Sequence, residues 1–126
     1  MSDTVRTGGC QCGAVRYAAR GEPFKSGVCH CRDCKKVTGS SFLAYADWTP
    51  DTFSYTGNVV TYEGRSFCPV CGSRLFSLSE TQSEVYLGTL DEAPSELTPQ
   101  VEGWCIRRDY WLPSLAGLPQ YERDIP

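Results

Sequence analysis

The stretch "GVCHCRDCKKVTGSS", Gly27 to Ser41, places Cys29, Cys31 and Cys34 within six residues, around His30, the only histidine of the chain. Three thiols at this spacing are a closed metal site that borrows a fourth ligand, a disulfide region, or a metal site with one position open. In an extended segment side chains alternate, so Cys29 and Cys31 face one way and His30 the other. Arg32 to Gly39 is the one good helical candidate, a short helix with Gly39 as its left-handed stop. Cys34 then falls on the first helical turn, which can carry its sulfur toward the other two. Free N–H groups and the positive end of the helix dipole favour anionic sulfur there. The expectation is a preorganised corner of three thiolates. Alternation disfavours His30 as a fourth ligand and leaves it as a partly exposed histidine beside the site.

The remaining cysteines sort around that corner. Cys10-Gln11-Cys12 follows Gly8-Gly9 and precedes Gly13, and Cys68-Pro69-Val70-Cys71-Gly72 has the spacing of a zinc knuckle. The proline after one cysteine and the glycine after the other favour a tight turn, in which backbone N–H groups can point at the sulfurs and stabilise thiolate. Two such pairs supply four thiolates, enough to close a tetrahedral zinc shell and staple a small domain through metal. A redox CxxC at Cys68 and Cys71 is the competing reading, but the strand-like "SRLFSLS" stands where that motif expects a helix. Cys105 in "GWCIR" joins the three-thiol corner only if the fold brings it there; a lone cysteine in an apolar strand is more often simply buried. The eight cysteines thus divide into four, three and one. A four-thiolate site is structural, whereas a three-thiolate site with a vacant position is what a catalytic zinc requires.

Composition sets the frame. The 126 residues fit a single domain, residues 1–126, with 40% apolar and 21% charged residues. A net charge of -3 argues against nonspecific binding to nucleic acid or to an anionic membrane, which needs a basic face. No segment has the length and apolarity to cross a bilayer, and "MSDTVRTGG" lacks the pattern of a secretory signal. The expected compartment is therefore the cytoplasm, where reducing conditions turn clustered cysteines toward metal binding or redox chemistry rather than disulfides.

The layout reads as mainly β. "GAVRYAARG", Gly13 to Gly21, puts Val15, Tyr17 and Ala19 on one face. Further strands are expected over Ser41–Asp47, Thr52–Gly57, Asn58–Gly64, Ser73–Ser79, Ser83–Leu90 and Gly103–Asp109, with Gly57-Asn58 as a tight hairpin turn. The proline-rich "LPSLAGLPQYERDIP" reads as a fixed tail without regular structure. Trp104, Tyr110 and Trp111 could line a pocket; in a small β domain such aromatics are more often core.

The motifs "GGCQCGAVRY", "CHCRDCKKVTGSSF", "FCPVCGSRLF" and "GLPQYE" run in order along nearly the whole chain. In this combination the sequence resembles the glutathione-dependent formaldehyde-activating family, which includes the centromere-protein-V-like proteins. The resemblance implies a small β-rich fold of the Mss4-like kind, with short antiparallel sheets around zinc and one short helix. It implies two zincs per chain: a structural one at Cys10, Cys12, Cys68 and Cys71, and a catalytic one at Cys29, Cys31 and Cys34. It also implies a zinc-dependent carbon–sulfur lyase or synthase acting on a small-molecule thiol adduct, such as S-hydroxymethylglutathione formed from formaldehyde and glutathione. Three thiolates around a divalent zinc leave about one net negative charge, which favours capture of a soft thiolate over strong carbonyl activation. Arg32, Lys35 and Lys36 could meet substrate carboxylates, or could be solvated helix charges. The alternative function is a zinc-stapled protein- or nucleic-acid-binding module, which requires the second site to be closed, for instance by Cys105, and an exposed basic or apolar patch.

Overall fold

The computed structural model describes residues 4–126. Among them the strands are, in chain order, β1 (Val5–Gly9), β2 (Arg16–Arg20) and β3 (Lys25–Cys29), followed by helix α1 (Arg32–Thr38) and β4 (Leu43–Trp48). Then come β5 (Phe53–Thr56), β6 (Val60–Tyr62), β7 (Arg65–Phe67), β8 (Arg74–Leu78), β9 (Ser83–Tyr86) and β10 (Glu102–Gly103). The chain is mainly β with one short helix, as the alternation of its apolar residues predicts. No helix among the described residues is long and apolar enough to cross a membrane. The residues group into two compact units, each assembled from two stretches: Met1–Lys25 with Ala46–Glu96, and Ser26–Tyr45 with Leu97–Pro126.

In the first unit β1, β2 and β5 form an antiparallel sheet with β2 in the centre. The expected face is present: Val15, Tyr17 and Ala19 are all buried. Tyr17, Phe53, Tyr55 and Phe76 form an aromatic cluster with ring centroids 5.1–6.5 Å apart, within the range of favourable tilted and edge contacts. Strands β6 to β9 form an antiparallel ladder in sequence order. Leu75, Phe76 and Val85 of this ladder are fully buried, each stabilising the fold by about 1.5–3 kcal/mol.

The expected hairpin at Gly57-Asn58 is not formed. β5 pairs with β2, whereas β6 pairs with β7, so Gly57 carries the chain from one sheet to another. Its φ is +95°, and a Cβ placed there would lie 2.1 Å from the carbonyl oxygen of Ala14, so only glycine fits. The two-residue hairpin lies instead at Glu63-Gly64, between β6 and β7, where both residues have positive φ, 51° and 78°. That is the backbone of a type I′ turn, whose twist suits paired strands.

In the second unit the strand order is β10-β3-β4, with β10 parallel to β3. Glu102 lies opposite Val28, and Gly103 opposite Cys29. The strand expected over Gly103–Asp109 stops at Gly103. Trp104 takes a left-handed conformation with φ 52°, and Cys105–Arg107 form a 3₁₀ turn. The C-terminal tail is fixed, as its prolines suggest. Glu102 exchanges backbone hydrogen bonds with Pro119 and Tyr121, and the N–H groups of Trp104, Cys105 and Ile106 donate to Arg123, Tyr121 and Glu122. Helix α1 ends as expected, with Gly39 left-handed and its N–H donating to the Lys35 carbonyl at 2.8 Å.

Candidate metal centres

Two groups of cysteines converge, one in each unit. Cys10, Cys12, Cys68 and Cys71 bring their sulfurs within 4.8 Å of one another, and so do Cys29, Cys31 and Cys34. Tetrahedral zinc with Zn–S bonds of about 2.3 Å requires sulfurs about 3.8 Å apart. Cys10 and Cys12 are 3.6 Å apart, and Cys12 and Cys68 are 3.8 Å apart, which fits that shell.

The local backbone builds the four-sulfur group as its turn residues suggest. The Val15 N–H donates to Cys10 Sγ at 3.2 Å, and the Val70 N–H to Cys68 Sγ at 3.4 Å. The Cys68–Ser73 turn closes through Gly72 N–H to the Cys68 carbonyl at 2.8 Å and Cys68 N–H to the Ser73 carbonyl at 3.0 Å. The Ser73 hydroxyl lies 3.2 Å from Cys71 Sγ and, with its own N–H and that of Cys12, pulls this thiol down to about 5. Burial raises the Cys10 thiol, but the Val15 N–H and the Cys12 and Cys68 thiols outweigh burial and leave it below its ordinary value. Cys12 moves the other way. The Ala14 N–H lowers it, yet Cys10, burial, Cys71 and Cys68 together push it up to about 12.

The three-sulfur group follows the same logic. Cys31 is the N-cap of α1, and its sulfur accepts the Cys34 N–H at 3.2 Å. The Cys34 thiol, with the N–H and thiol of Cys31, pulls Cys29 down to about 6 against the effect of burial. The bond Cys34 gives to Cys29, together with burial, pushes Cys34 far up. In both groups some thiols ionise readily while a neighbour holds its proton, because sulfur anions this close repel one another. A divalent cation removes that repulsion by replacing the protons, so both donor sets suit a soft, thiolate-binding metal such as zinc.

Among the described residues no further His, Cys, Asp or Glu ligand atom joins the group of three. Cys105 is half-buried in its 3₁₀ turn, with its Sγ 3.7 Å from the Glu102 carbonyl oxygen. His30 does turn away from the sulfurs, but it is not partly exposed. It is 1% exposed, and its Nε2 donates to Glu102 Oε2 at 2.8 Å. Glu102, equally buried, has its other oxygen held by the Leu115 N–H at 2.8 Å and by Gln120 Nε2 at 3.1 Å. Arg108 Nη2 lies 3.4 Å from Oε2. Burial raises this carboxyl, but His30, the Leu115 N–H and Arg108 outweigh it and keep Glu102 below its ordinary range. Nothing in the sequence marks Glu102 as the partner of a histidine 72 residues earlier; only the parallel pairing of β10 with β3 brings them together.

Of the three cations beside the motif, Lys35 is committed to structure. Its Nζ donates to the Arg107 carbonyl at 2.6 Å and to Asp109 Oδ1 at 2.7 Å. Arg32 and Lys36 are exposed. Tyr110 and Trp111 are fully and largely exposed, so they are not core, because the expected strand ends before them and Asp109 to Leu112 forms a surface turn. The Trp104 indole donates to Asp124 at 2.8 Å.

An uncharacterized lyase of Schizosaccharomyces pombe is 32% identical over 74 residues, 55% of this chain. The match covers 54% of that protein, so the chain matches about half of its relative's length. The crystal structure of a Rhodobacter sphaeroides protein, a structural genomics target, aligns with a TM-score of 0.52 at 18% identity, covering 91% of this chain and 98% of that one, and so shares the fold. The model of the glutathione-dependent formaldehyde-activating enzyme family matches residues 5–107, a span that holds every cysteine of both groups. With most of its length under that match, the chain belongs to the glutathione-dependent formaldehyde-activating enzyme family.

Proposed function

We propose that this chain is a zinc-dependent carbon–sulfur lyase or synthase that acts on a small thiol adduct, with S-hydroxymethylglutathione, formed from formaldehyde and glutathione, as the model substrate. The observation that carries this reading is the unequal pair of cysteine groups, one of four sulfurs and one of three with no further ligand atom beside it among the described residues. Family membership and a relative named as a lyase support the reaction class. In this reading Cys10, Cys12, Cys68 and Cys71 hold a structural zinc, and Cys29, Cys31 and Cys34 hold a catalytic one. When bound at three thiolates, zinc supplies a soft, exchangeable position suited to a substrate thiolate.

The chain's own residues prepare that position. The Cys34 N–H fixes the Cys31 sulfur, and β3 sets the direction of Cys29. The buried His30–Glu102 pair locks the intervening residue to the opposite face, so the imidazole does not compete as a ligand. Arg32 and Lys36, exposed on α1, are the cations left to meet substrate carboxylates. The acidic balance favours a small-molecule partner over nucleic acid. The reading takes residues 1–126 as one zinc-binding domain working in the cytoplasm, and the family match over residues 5–107 includes parts of both units.

The test is the rate at which formaldehyde and glutathione exchange with their adduct, followed by carbon-13 magnetisation transfer on the zinc-loaded chain. Exchange should be accelerated by the wild type and return to the uncatalysed rate with Cys34→Ser. Equal acceleration by Cys34→Ser would refute the role of the three-cysteine group.

A further inference from the structure

The parallel pairing of β10 with β3 decides what stands beside the three-sulfur corner. Residues in register on parallel strands point to the same face of the sheet, and their neighbours along each strand to the opposite face. Val28, His30 and Glu102 obey this rule and line one cavity together. Cys29 and its partner Gly103 therefore point to the other face, from backbones about 4.8 Å apart. Gly103 has no side chain, and the C-terminal segment fills the space above it. A Cβ on Gly103 would meet Ile125 Cδ1 at 2.8 Å and Cγ1 at 2.9 Å. The half-buried Ile125 side chain thus lies on the sulfur face of the strand pair, next to Cys29.

The segment is anchored there. The Trp104 N–H donates to the Arg123 carbonyl at 2.9 Å, and the Trp104 indole donates to Asp124 Oδ1 at 2.8 Å. Asp124 is exposed, and among the described residues it forms no ion pair; the adjacent Arg123 faces Glu122 at 3.8 Å. Cys34 lowers the Cys29 thiol most, while burial and, more weakly, the Asp124 carboxylate oppose it, so this carboxylate is near enough for its charge to act on the corner. The corner then has two unlike flanks. Helix α1 presents the exposed charges Arg32, Asp33 and Lys36, and the tail presents a short apolar wall with a carboxylate at its end. A fixed anion beside a group of thiolates selects for a cationic partner and against an anionic one.

We propose that Ile125 and Asp124 are specificity-determining residues of the three-cysteine site. Ile125 packs along the stem of the thiol bound there, and Asp124 pairs with an ammonium group that the thiol carries, so the preferred substrates are short aminothiols. This inference rests on the thiol-binding reading of the site given above.

Cysteamine and N-acetylcysteamine share a stem and differ in one charged group. Their dissociation constants are measured by calorimetry on the zinc-loaded full chain at low ionic strength, for wild type and variants. Comparing the ratio of the two constants between proteins cancels the difference in sulfur chemistry between the two thiols. Asp124→Asn keeps an acceptor for the Trp104 indole and removes only the charge. It should weaken cysteamine relative to N-acetylcysteamine by about two- to fivefold, the worth of one exposed ion pair. An Asp124 that only props the tail would weaken both thiols alike. Ile125→Ala should weaken both thiols by about threefold or more through lost apolar contact. The proposal is overturned if Asp124→Asn leaves the ratio unchanged, or if Ile125→Ala binds both thiols as wild type does. Those results, with both thiols still binding wild type, leave the thiol-binding reading standing. If neither thiol binds wild type, that reading fails and this inference falls with it.

Discussion

Glu102 is the residue whose removal should tell most about the second unit. Its carboxylate is 1% exposed and collects three hydrogen bonds of 2.8, 2.8 and 3.1 Å, with an arginine nitrogen at 3.4 Å. Glu102→Ala leaves the His30 and Leu115 donors without an acceptor, Gln120 Nε2 with the Leu115 carbonyl alone at 3.2 Å, and Arg108 without its counter-charge. Breaking a buried charged network by removing one partner costs about 3–5 kcal/mol. Glu102→Gln should cost less, about 1–2 kcal/mol. The amide oxygen can still accept from Leu115 and Gln120, and the amide nitrogen can donate to His30 Nε2 once the imidazole moves its proton to Nδ1. Arg108 alone then loses its partner. Urea denaturation of the zinc-loaded protein measures both values. By thermal melting the alanine variant should fall by about 10–20 °C and the glutamine variant by about 3–8 °C. The downfield His30 Nε2 proton should disappear in both. An alanine variant within about 1 kcal/mol of wild type, or one no worse than the glutamine variant, would refute the argument that this carboxylate organises the tail and the strand pair.

Three further outcomes are expected. Cys71→Ser and Cys34→Ser should each lose one zinc by metal analysis, but only Cys71→Ser, in the stapling group, should lower the melting temperature by more than about 10 °C; equal losses would mean the two groups are not structural and catalytic. Asp47 is 1% exposed with its Oδ1 unpartnered, and burial, weakly opposed by Lys25, raises its carboxyl to about 6. A raised carboxyl contributes stability that is present below its unfolded value and lost as pH rises through its folded one, so wild type should lose on the order of 1 kcal/mol relative to Asp47→Asn between pH 5 and 7.5; parallel pH profiles of the two proteins in denaturant titrations would contradict this. Gly57→Ala should cost at least about 2 kcal/mol, because a Cβ would meet the Ala14 carbonyl oxygen at 2.1 Å, while Gly64→Ala, where φ is +78° but the nearest atom is Ser77 Oγ at 3.6 Å, should cost about 1 kcal/mol; equal unfolding midpoints would show that steric contact does not set the difference.

The local features of this chain were legible because local physics produces them. Alternation gave the buried face of Val15, Tyr17 and Ala19, and the turn chemistry of Cys68–Gly72 and the left-handed Gly39 gave the ends of their segments. Spacing alone divided the cysteines into the two groups that converge. What failed depended on partners distant in sequence. Gly57-Asn58 has hairpin chemistry, but β5 finds its partner in β2, so the same glycine makes a crossing. Alternation turns His30 away from the sulfurs and suggests a partly exposed ring beside the site; instead Glu102, delivered by a two-residue parallel strand, supplies a buried partner. Tyr110 and Trp111 read as core on composition, yet the left-handed Trp104 ends the strand and leaves them on a surface turn.

The central claim is that one cysteine group is closed and the other is open. Zinc-edge X-ray absorption of the fully loaded chain tests it most directly. Four-sulfur and three-sulfur sites in equal amounts should average about 3.5 sulfur neighbours per zinc, rising to about 4 when glutathione is added. A value of 4 before the thiol is added, or no change on adding it, would contradict the account.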